Sequence, residues 1–204
     1  GETGSGKTSL AKLFMEFYSP DKGHIYVDGA ELQNFEVQEI RKAVVYVSQE
    51  DFLFTASVRE NLKMGNEEIS DEEMIEISRK MGVHQFVSKM ERAYDSVLEE
   101  RGKNLSKGQR QKLSLTRAIL RHPKILILDE ATSNMDSISE REILNYIKGI
   151  RDITLILISH RINVIADSDC IYVLQKGNIV ARGTDKQLKE QCKLYRQLYG
   201  EEEK

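Results

Sequence analysis

The first eight residues, GETGSGKT, constrain the fold of this chain more than any other segment. They match the pattern G-x-x-x-x-G-K-[ST] at every defined position, which are Gly1, Gly6, Lys7 and Thr8. Backbone N–H groups of such a loop converge on phosphate oxygens without interference from Cβ atoms, and the positive end of the following helix adds to the attraction. In this pattern the lysine reaches the β- and γ-phosphates and the hydroxyl ligates Mg²⁺. The segment therefore predicts a nucleotide-binding loop between a strand and a helix.

A pair of acidic residues supports this prediction. Asp129 and Glu130 directly follow the apolar run ILIL, which is typical of a strand covered on both faces. Carboxylates at the carboxyl end of such a strand lie at the edge where α/β sheets bind ligands. One of them can hold Mg²⁺ through water, and its neighbour can orient an attacking water. Alone, an acidic pair after a strand is usually a helix-capping turn, but together with the first loop it predicts a P-loop nucleotidase.

The apolar patterns predict an α/β fold with a mainly parallel sheet and a RecA-like P-loop core. A helix is predicted from Lys7 to just before Pro20, with its apolar face made of Leu10, Leu13, Phe14 and Phe17. We predict strands in four segments, 24–29, 43–49, 124–130 and 153–160, the last two covered on both faces. The segment 170–183 predicts a hairpin around Gly177-Asn178.

Two segments show the serine and glutamate spacing of a capping box at a helix start, Ser70 with Glu73 and Ser137 with Glu140. We predict four parts: residues 1–65 and 118–183 form the ATPase core, 66–117 an inserted α-helical subdomain, and 184–204 a helical tail. The strand that should precede the first loop is missing before Gly1. We therefore expect the chain to be part of a longer protein that supplies the N-terminal strands.

Composition excludes some classes of function. The 30 basic and 33 acidic residues give a net charge of −3, which does not favour a nucleic-acid partner. Cys170 and Cys192 show no metal-ligand spacing and are expected to be reduced thiols. No apolar run approaches the roughly 18 residues that a membrane-spanning helix needs. The histidines at 24, 84 and 122 fit no motif and are expected to be structural or surface residues.

Five further segments follow one another in an order that resembles one family. LSKGQ (105–109) matches four of the five positions of the LSGGQ signature of ABC-type ATPases. The other four resemble further motifs of that family: YVSQED (46–51) the Q-loop with Gln49, EERG (99–102) the loop that exporter-type members present to their transmembrane partners, SNMD (133–136) the D-loop with Asp136, and LISHR (157–161) the switch histidine, His160. The resemblance to an exporter-type nucleotide-binding domain covers essentially the whole chain.

The resemblance implies a role for each matching residue. Glu130 would be the general base or water-polarising carboxylate, and His160 would contact the γ-phosphate of ATP. Thr8, Gln49 and Asp129 would organise Mg²⁺ and its waters. Catalysis would thus use Glu130, His160, Gln49 and Lys7. The residues of the first loop that would bind the nucleotide are Gly1, Thr3, Gly4, Ser5, Gly6, Lys7, Thr8 and Ser9.

Nucleotide-binding domains of this family dimerise head to tail, so ATP on the first loop of one subunit is covered by the signature of the other. The resemblance therefore implies that Ser106, Gly108 and Gln109 contact the partner's nucleotide and that Asp136 lies across the dimer interface. Two phosphate-binding loops in one chain are then expected, each serving a different site.

The resemblance implies an ATPase that drives export, at the cytoplasmic face of a membrane, with a transmembrane domain N-terminal on the same full-length chain. One alternative is a switch domain of a non-transport ABC-type ATPase, although the nucleic-acid-linked relatives carry long coiled coils or tandem domains. Another is a regulator that hydrolyses ATP weakly or not at all. The presence of both Glu130 and His160 argues against a complete loss of hydrolysis.

Two positions depart from the family pattern. Lys107 replaces the usual signature glycine, at a cost of about 1 kcal/mol if the position needs a positive φ. The lysine could instead add a cation near the phosphate, or mark one subunit of a heterodimer with a weakened site. We expect a homodimer, with the heterodimer as the alternative. The aromatic residue that stacks on adenine in the family is missing, and Tyr18 and Tyr26 are expected to belong to the core instead.

Overall fold

The computed structural model of the chain describes residues 1–2, 4–50 and 52–202. These residues form two compact units. One consists of Gly1–Val37 together with Leu157–Lys204, and the other of Gln38–Ile156. The four-part division made from the sequence stays a prediction.

The helices and strands alternate in the way the apolar runs predict. The elements in chain order are α1 (Lys7–Phe14), β1 (Tyr26–Val27), β2 (Ala30–Glu31), α2 (Val37–Ala43), β3 (Val44–Val47), α3 (Val58–Lys63), α4 (Asp71–Lys80), α5 (His84–Val87), α6 (Lys107–Leu120), β4 (Ile125–Asp129), α7 (Ser137–Lys148), β5 (Thr154–Ile158), α8 (Ile162–Ile165), β6 (Ile171–Gln175), β7 (Asn178–Gly183), α9 (Asp185–Gln191) and α10 (Lys193–Glu202). Short 3₁₀ turns cover Leu32–Asn34, Ala93–Asp95 and Glu100–Gly102.

A three-stranded sheet in the order β3-β4-β5 organises the unit 38–156. β3 and β4 pair in parallel, with Val44 opposite Ile125 and Val47 opposite Leu128. Most of the residues in these two strands are buried, as expected of apolar runs covered on both faces. The parallel pairing brings the carboxyl ends of both strands to one edge of the sheet. The mainly parallel α/β core predicted from the sequence is therefore confirmed.

The helix α6 is the most deeply buried helix of this unit among the described residues, with eight of its 14 residues buried. It packs against β3, α3 and α4. Leu113, Leu115 and Leu120 are each 0% exposed. Burying a leucine side chain stabilises a fold by about 1.5–3 kcal/mol, so these three alone account for several kcal/mol. The position of α6 is consequently fixed by its packing.

The unit 1–37 with 157–204 contains two hairpins, β1-β2 and β6-β7. In each, two turn residues have positive φ, Asp28 with Gly29 (50° and 81°) and Lys176 with Gly177 (48° and 79°). Such turns match the right-handed twist of paired strands. The predicted hairpin is confirmed, but its turn lies one residue earlier than expected, because Asn178 already pairs with Gln175 in the ladder.

A separate apolar cluster stabilises this unit. It consists of Ile162, Ile171, Val173, Leu188 and Tyr195, all nearly inaccessible to solvent. The hydroxyl of Tyr195 donates to a carboxylate oxygen of Asp185 at 2.8 Å, which satisfies the one polar atom of that ring. The cluster therefore joins the hairpin β6-β7 to the C-terminal helices.

The prediction for the first helix was wrong at its C-terminal end. α1 ends at Phe14, and Glu16 has φ 51°, a left-handed conformation that no helix continues. The turn carries Phe17 off the helical face, where it is 53% exposed, and Leu10 is also exposed. Ala11 and Met15, four residues apart, are the buried positions instead.

Three further predictions need correction. α7 is capped by Asp136, whose side chain accepts from the Ser139 N–H at 2.9 Å, so Ser137 is already the first helical residue. β5 is only partly buried along most of its length, because it is the last strand in the described sheet order. Tyr18 and Tyr26 are 61% and 60% exposed and are not core residues.

At α4 the predicted cap is half formed. The Ser70 hydroxyl accepts from the Glu73 N–H at 3.1 Å. The Glu73 carboxylate does not return to the cap but lies 2.8 Å from His122 Nε2. A long-range partner therefore replaced the local one.

Asn61 of α3 binds the backbone of the segment between β3 and α3, and its contribution to stability can be tested. It is 0% exposed, its side-chain oxygen accepts from the Phe54 N–H at 2.9 Å, and its amide donates to the Phe54 carbonyl at 3.0 Å. We expect Asn61→Ala to lower the free energy of unfolding by about 2–3 kcal/mol, because it leaves buried backbone groups unpaired. Urea unfolding followed by circular dichroism measures this. Asn145→Ala, on the exposed face of α7, is the matched control and should change stability by less than about 0.5 kcal/mol.

Candidate functional site

The glycine-rich loop leads directly into α1. Gly4 and Gly6 have φ of 78° and 100°, and Gly6 is the residue immediately before the helix. Side chains other than glycine adopt this conformation only at a cost, so the loop requires glycine at both positions. The N-terminus of an α-helix generally favours an anion, because its first N–H groups have no acceptor within the helix. The local geometry is that of a phosphate-binding loop, as the sequence predicts.

The side chain of Lys7 folds back and forms hydrogen bonds with its own loop. Its Nζ donates to the carbonyls of Gly1 at 2.7 Å and Glu2 at 2.8 Å, and to the Ser5 hydroxyl at 3.3 Å. The Gly177 N–H donates to the Ser5 carbonyl at 3.0 Å, which anchors the loop on the hairpin β6-β7. The ammonium group of Lys7 is thus held by oxygen atoms of residues 1–5 of the loop. Of the predicted nucleotide contacts, Thr3 lies outside the described residues.

Close packing explains the first glycine of the motif. A Cβ at Gly1 would lie 2.2 Å from the carbonyl oxygen of Leu174 in β6, a distance that no side chain tolerates. Thr8 and Ser9 are exposed in the first turn of α1. The Thr8 hydroxyl is therefore accessible to a ligand at the start of the helix.

Asp129 ends β4 and is 6% exposed. The hydroxyl of Tyr46, in the neighbouring strand β3, donates to its Oδ2 at 2.8 Å. Burial, and then this hydrogen bond to a carboxylate, raise the pKa of Tyr46 well above its ordinary value. Tyr46 therefore stays protonated and holds one carboxylate oxygen in a defined orientation. The Q-loop motif includes Tyr46 but does not predict this contact, because the contact depends on the register between two strands.

Glu130 directly follows Asp129 and has φ 52°, a left-handed conformation. A residue with a Cβ adopts this conformation at a cost of about 1 kcal/mol, and such outliers cluster at functional sites. The chain turns sharply here, since the Ser133 N–H already donates to the Glu130 carbonyl at 3.2 Å. Glu130 is partly exposed, so a carboxylate lies at the end of a rigid strand within reach of solvent.

The signature loop, residues 105–109, forms the N-terminus of α6. Ser106 is the N-cap, and its hydroxyl accepts from the Gln109 N–H at 3.2 Å. The Gln109 side chain accepts from the Ser106 N–H at 2.8 Å, which completes a capping box. Lys107 is the first helical residue and is not among the residues with positive φ. The backbone strain considered for Lys107 therefore does not arise. The S-x-x-Q spacing that signals this cap was present in the sequence but was not used in the prediction.

The D-loop, residues 133–136, lies against α6. A Cβ at Gly108 would be 3.2 Å from the Asn134 carbonyl oxygen, so glycine permits a close approach of the loop. The Asn134 N–H donates to the Gln111 side chain at 3.0 Å. Asp136 is exposed and caps α7, and hydrogen bonds from Ser139 lower the pKa of its carboxyl group. Asp136 and Gly108 belong to motifs that are visible in the sequence, whereas no motif marks Gln111.

Gln49 and His160 each lie two residues beyond the carboxyl end of a strand, β3 and β5 respectively, and both are exposed. The predicted site residues are divided between the two compact units. Gln49, Ser106, Gly108, Gln109, Asp129, Glu130 and Asp136 belong to the unit 38–156, whereas the first loop and His160 belong to the other. Within the unit 38–156, the structure joins Asp129 to Tyr46 and the signature loop to the D-loop.

The oxygen atoms present fit magnesium. Mg²⁺ prefers hard oxygen ligands and is usually held by one or two carboxylates with substrate phosphates and waters. The Asp129 carboxylate, oriented by Tyr46, is a ligand of this kind, and so is the Thr8 hydroxyl, which belongs to the other compact unit. Within the described ranges, no group of three or more His, Cys, Asp or Glu residues could hold a metal ion. Mg²⁺ that binds with a nucleotide does not need such a group, since phosphates and waters supply most of its ligands.

The remaining candidate residues have ordinary roles. His24 contacts Glu31, His84 contacts Tyr94, and His122 contacts Glu73, each at 2.6–3.0 Å. These contacts agree with the structural or surface roles expected for them. Both cysteines are free, as expected. Among the described residues, no helix is both long and apolar enough to span a membrane.

Comparison with known proteins decides the family. A family model described as "ABC transporter" matches residues 1–133. The chain belongs to the ABC transporter family. It is 43% identical, over 94% of its length, to the heterocyst differentiation ATP-binding protein HepA of Nostoc sp. (strain PCC 7120), and covers 32% of that protein. It is 39% identical, over 92% of its length, to the mitochondrial iron-sulfur clusters transporter ABCB7 of Oryzias latipes, covering 25% of it.

A solved structure agrees with this assignment. The fold is similar to that of a bacterial Atm1-family ABC exporter with ATP bound, with a TM-score of 0.94 and 31% identity over 99% of this chain. The chain covers 36% of that exporter, so it spans about a third or less of the length of most of these relatives. The P-loop fold and the exporter-type ABC resemblance inferred from the sequence are thereby confirmed. The chain is an ATP-binding domain of the ABC transporter family.

The left-handed conformation of Glu130 makes a prediction that is independent of catalysis. We expect Glu130→Gly to be more stable than Glu130→Ala by about 1 kcal/mol, because only glycine adopts φ 52° without strain. Urea unfolding of both variants gives the difference. The matched pair Glu142→Gly and Glu142→Ala, in the exposed interior of α7, should show the opposite order by a similar amount. The same order at both sites would contradict the strained conformation.

Proposed function

We propose that this chain binds and hydrolyses ATP as the nucleotide-binding domain of an ABC exporter, dimerising around ATP to drive transport. The observation that carries the proposal is the match of nearly the whole chain to an ATP-bound exporter at a TM-score of 0.94. The local geometry of the loop before α1 supports it, since two left-handed glycines and Lys7 form a phosphate-binding loop there.

Nucleotide binding follows from the first loop. The N–H groups between Gly4 and Ser9 and the ammonium group of Lys7 would bind the phosphates of ATP. The lysine now donates to three oxygens of its own loop, and phosphate oxygens are acceptors of the same kind. The loop is therefore preorganised around a cation that exchanges internal acceptors for phosphate.

Hydrolysis needs a group that polarises water. Glu130 would act as this base, at the end of a buried strand and in a conformation that carries local strain. Asp129, Thr8 and Gln49 would organise Mg²⁺, which when bound would neutralise charge on the β- and γ-phosphates. His160, exposed beyond β5, would contact the γ-phosphate.

The N-terminus of α6 fits a role at the partner's nucleotide. The capping box occupies the N–H group of Gln109, whereas the N–H groups of Lys107 and Gly108 have no acceptor within the helix. The first turn of α6 carries no acidic residue, and the positive end of the helix dipole favours an anion. Ser106, Gly108 and Gln109 would therefore cover ATP bound by a second subunit, with Asp136 at the same interface.

Lys107 supports a second candidate assembly, in which this chain is one subunit of a heterodimer. A cation at the positive end of a helix opposes the dipole unless an anion lies nearby, so this signature differs electrostatically from one with glycine. A heterodimer in which this chain contributes the weaker half-site explains such a difference. The homodimer, in which Lys107 adds charge to both ATP sites, is the reading we favour, since its backbone conformation is unstrained.

A surface in the unit 38–156 suits a transmembrane partner. A Cβ at Gly102, in the EERG loop, would lie 2.9 Å from the Leu53 side chain, so this loop packs on the segment that follows the Q-loop. Phe52 and Phe54 flank that leucine, are 54% and 40% exposed, and contact each other edge to face. Exposed aromatic pairs are typical of protein interfaces. The chain would then act at the cytoplasmic face of a membrane.

Replacing the proposed base tests the ATPase function. We expect Glu130→Gln, in the complete protein, to lower ATP turnover at least about a hundredfold, because the amide cannot accept a proton from water. ATP should then accumulate in a stable dimer, measured by size-exclusion chromatography with ATP and Mg²⁺. Glu142→Gln, exposed on α7, is the matched control and should retain full turnover. Unchanged turnover in Glu130→Gln would contradict the mechanism, and dimers that form only with a second protein would favour the heterodimer.

The contact between Tyr46 and Asp129 tests the magnesium assignment. We expect Tyr46→Phe to weaken nucleotide binding in Mg²⁺ about three- to tenfold, the size of one typical intramolecular hydrogen bond, because the Asp129 carboxylate itself remains. Binding in EDTA should stay the same, because the loop and Lys7 are unaffected. A fluorescent ATP analogue titrated under both conditions separates the two effects. Tyr172→Phe, which alters an exposed tyrosine of β6, is the control. An equal loss with and without Mg²⁺ would argue against Asp129 as a magnesium ligand.

A further inference from the structure

Gln111 is a buried polar residue in the most deeply buried helix of its unit. It lies in the second turn of α6, is 0% exposed, and is followed closely by the fully buried residues Leu113 and Leu115. Taking a carboxamide out of water is unfavourable unless its polar atoms find partners. A hydrophobic residue of similar volume would fill this position at lower cost, so packing alone does not explain a glutamine here.

Only one end of the carboxamide is used. Its oxygen accepts from the Asn134 N–H at 3.0 Å, whereas Nε2 has no hydrogen-bond partner among the described residues. Because the backbone N–H is a donor, it identifies the atom facing it as the oxygen. A buried donor without an acceptor lowers stability, and its presence in a folded protein needs an explanation. The glutamine is therefore present for its contact with the D-loop.

The same stretch of the D-loop is held at a second point. Gly108 precedes Gln111 by three residues and so lies on the same face of α6. Its Cα faces the Asn134 carbonyl so closely that a Cβ would be 3.2 Å from the oxygen. Both backbone polar groups of Asn134 thus lie against α6. Lys112, one helical turn after Gly108, donates to the Ser139 hydroxyl in α7 at 2.9 Å. This hydrogen bond connects the helix after the D-loop to α6 as well.

These contacts connect two places that the proposed function assigns to different ATP molecules. The N-terminus of α6 would cover the partner's ATP, whereas Glu130, four residues before Asn134, would act on the ATP of this chain. Between them the chain is short, turned at Glu130 and Ser133, and ends at the N-cap of α7. An ATP molecule bound against the N-terminus of α6 would therefore act on this loop through the Gln111 contact.

We propose that Gln111 is a positioning residue that holds the D-loop on the signature helix and thereby couples ATP binding at the partner's site to hydrolysis at this chain's own site. The inference rests on the proposed ATP-bound dimer. The inference goes beyond the proposed dimer because it assigns the coupling between the two ATP sites to one hydrogen bond inside a single subunit. Gln111 touches no substrate, so it acts through the position of the loop.

Two substitutions separate coupling from stability. Gln111→Met keeps the volume and removes both the acceptor and the unpaired donor. It should leave the melting temperature about equal to that of the wild type, since the loss of one hydrogen bond is offset by removal of the buried unpaired donor. Gln111→Glu keeps an acceptor oxygen for Asn134 but buries an acidic group, so it should lower the melting temperature. A purely structural role would make activity follow the melting temperature in both variants.

The test measures ATP hydrolysis by the complete protein as a function of ATP concentration. For Gln111→Met we expect kcat to fall about tenfold and the Hill coefficient to fall toward 1, with nucleotide affinity in the absence of hydrolysis changed less than twofold. Gln111→Glu should retain most of the cooperativity. The matched control is Thr116→Val, which removes a buried hydrogen bond from Thr116 to the Lys112 carbonyl within the same helix. It should leave the Hill coefficient unchanged.

Each outcome decides a different point. Retained cooperativity in Gln111→Met, or an equal loss in Thr116→Val, would overturn the coupling role of Gln111. If the wild-type protein forms no ATP-dependent dimer and Glu130→Gln accumulates none, the proposed function itself fails. A cooperative wild type with an uncoupled Gln111→Met and a cooperative Gln111→Glu supports the inference.

Discussion

The packing of α6 is the constraint on which the rest of the unit 38–156 depends. Leu113, Leu115 and Leu120 are fully buried, so the helix cannot shift without exposing apolar surface. Its position fixes the signature loop at one end and, through Gln111, the loop that leads from β4 to α7. A helix with a solvent-facing N-terminus and a buried body is well suited to connecting these two loops, because a ligand at the terminus acts on a rigid element.

The second organising feature is the parallel pairing of β3 with β4. It brings functional groups from distant parts of the sequence to one edge, since parallel strands end on the same side. Tyr46 on Asp129 is the direct result, and the strained Glu130 follows where the chain leaves the sheet. The polar groups of the proposed site are thus supported by a buried sheet, and Glu130, where the chain leaves that sheet, carries backbone strain.

Much of the fold and of the site could be predicted from the sequence, because local patterns carry it. The glycine-rich loop, the acidic pair at 129–130 and the apolar strands are short segments whose spacing reflects their geometry. Where local signals competed with one another or with long-range contacts, prediction was wrong. Ser137 offered a cap, but Asp136 occupies that place, and Glu73 pairs with His122 instead of closing its own cap. Spacing within a helix cannot show which partner lies across from it.

The sequence by itself determined the ATP-binding class of this protein, the order of its motifs and its membership of the ABC transporter family. Tertiary structure alone decided that Lys107 begins a helix without strain, that Tyr46 holds Asp129, and that Gln111 holds the D-loop. The physical reason is that motifs depend on neighbours along the chain. A hydrogen bond between residues 83 or 23 positions apart depends on strand register and helix packing, which only the folded core establishes.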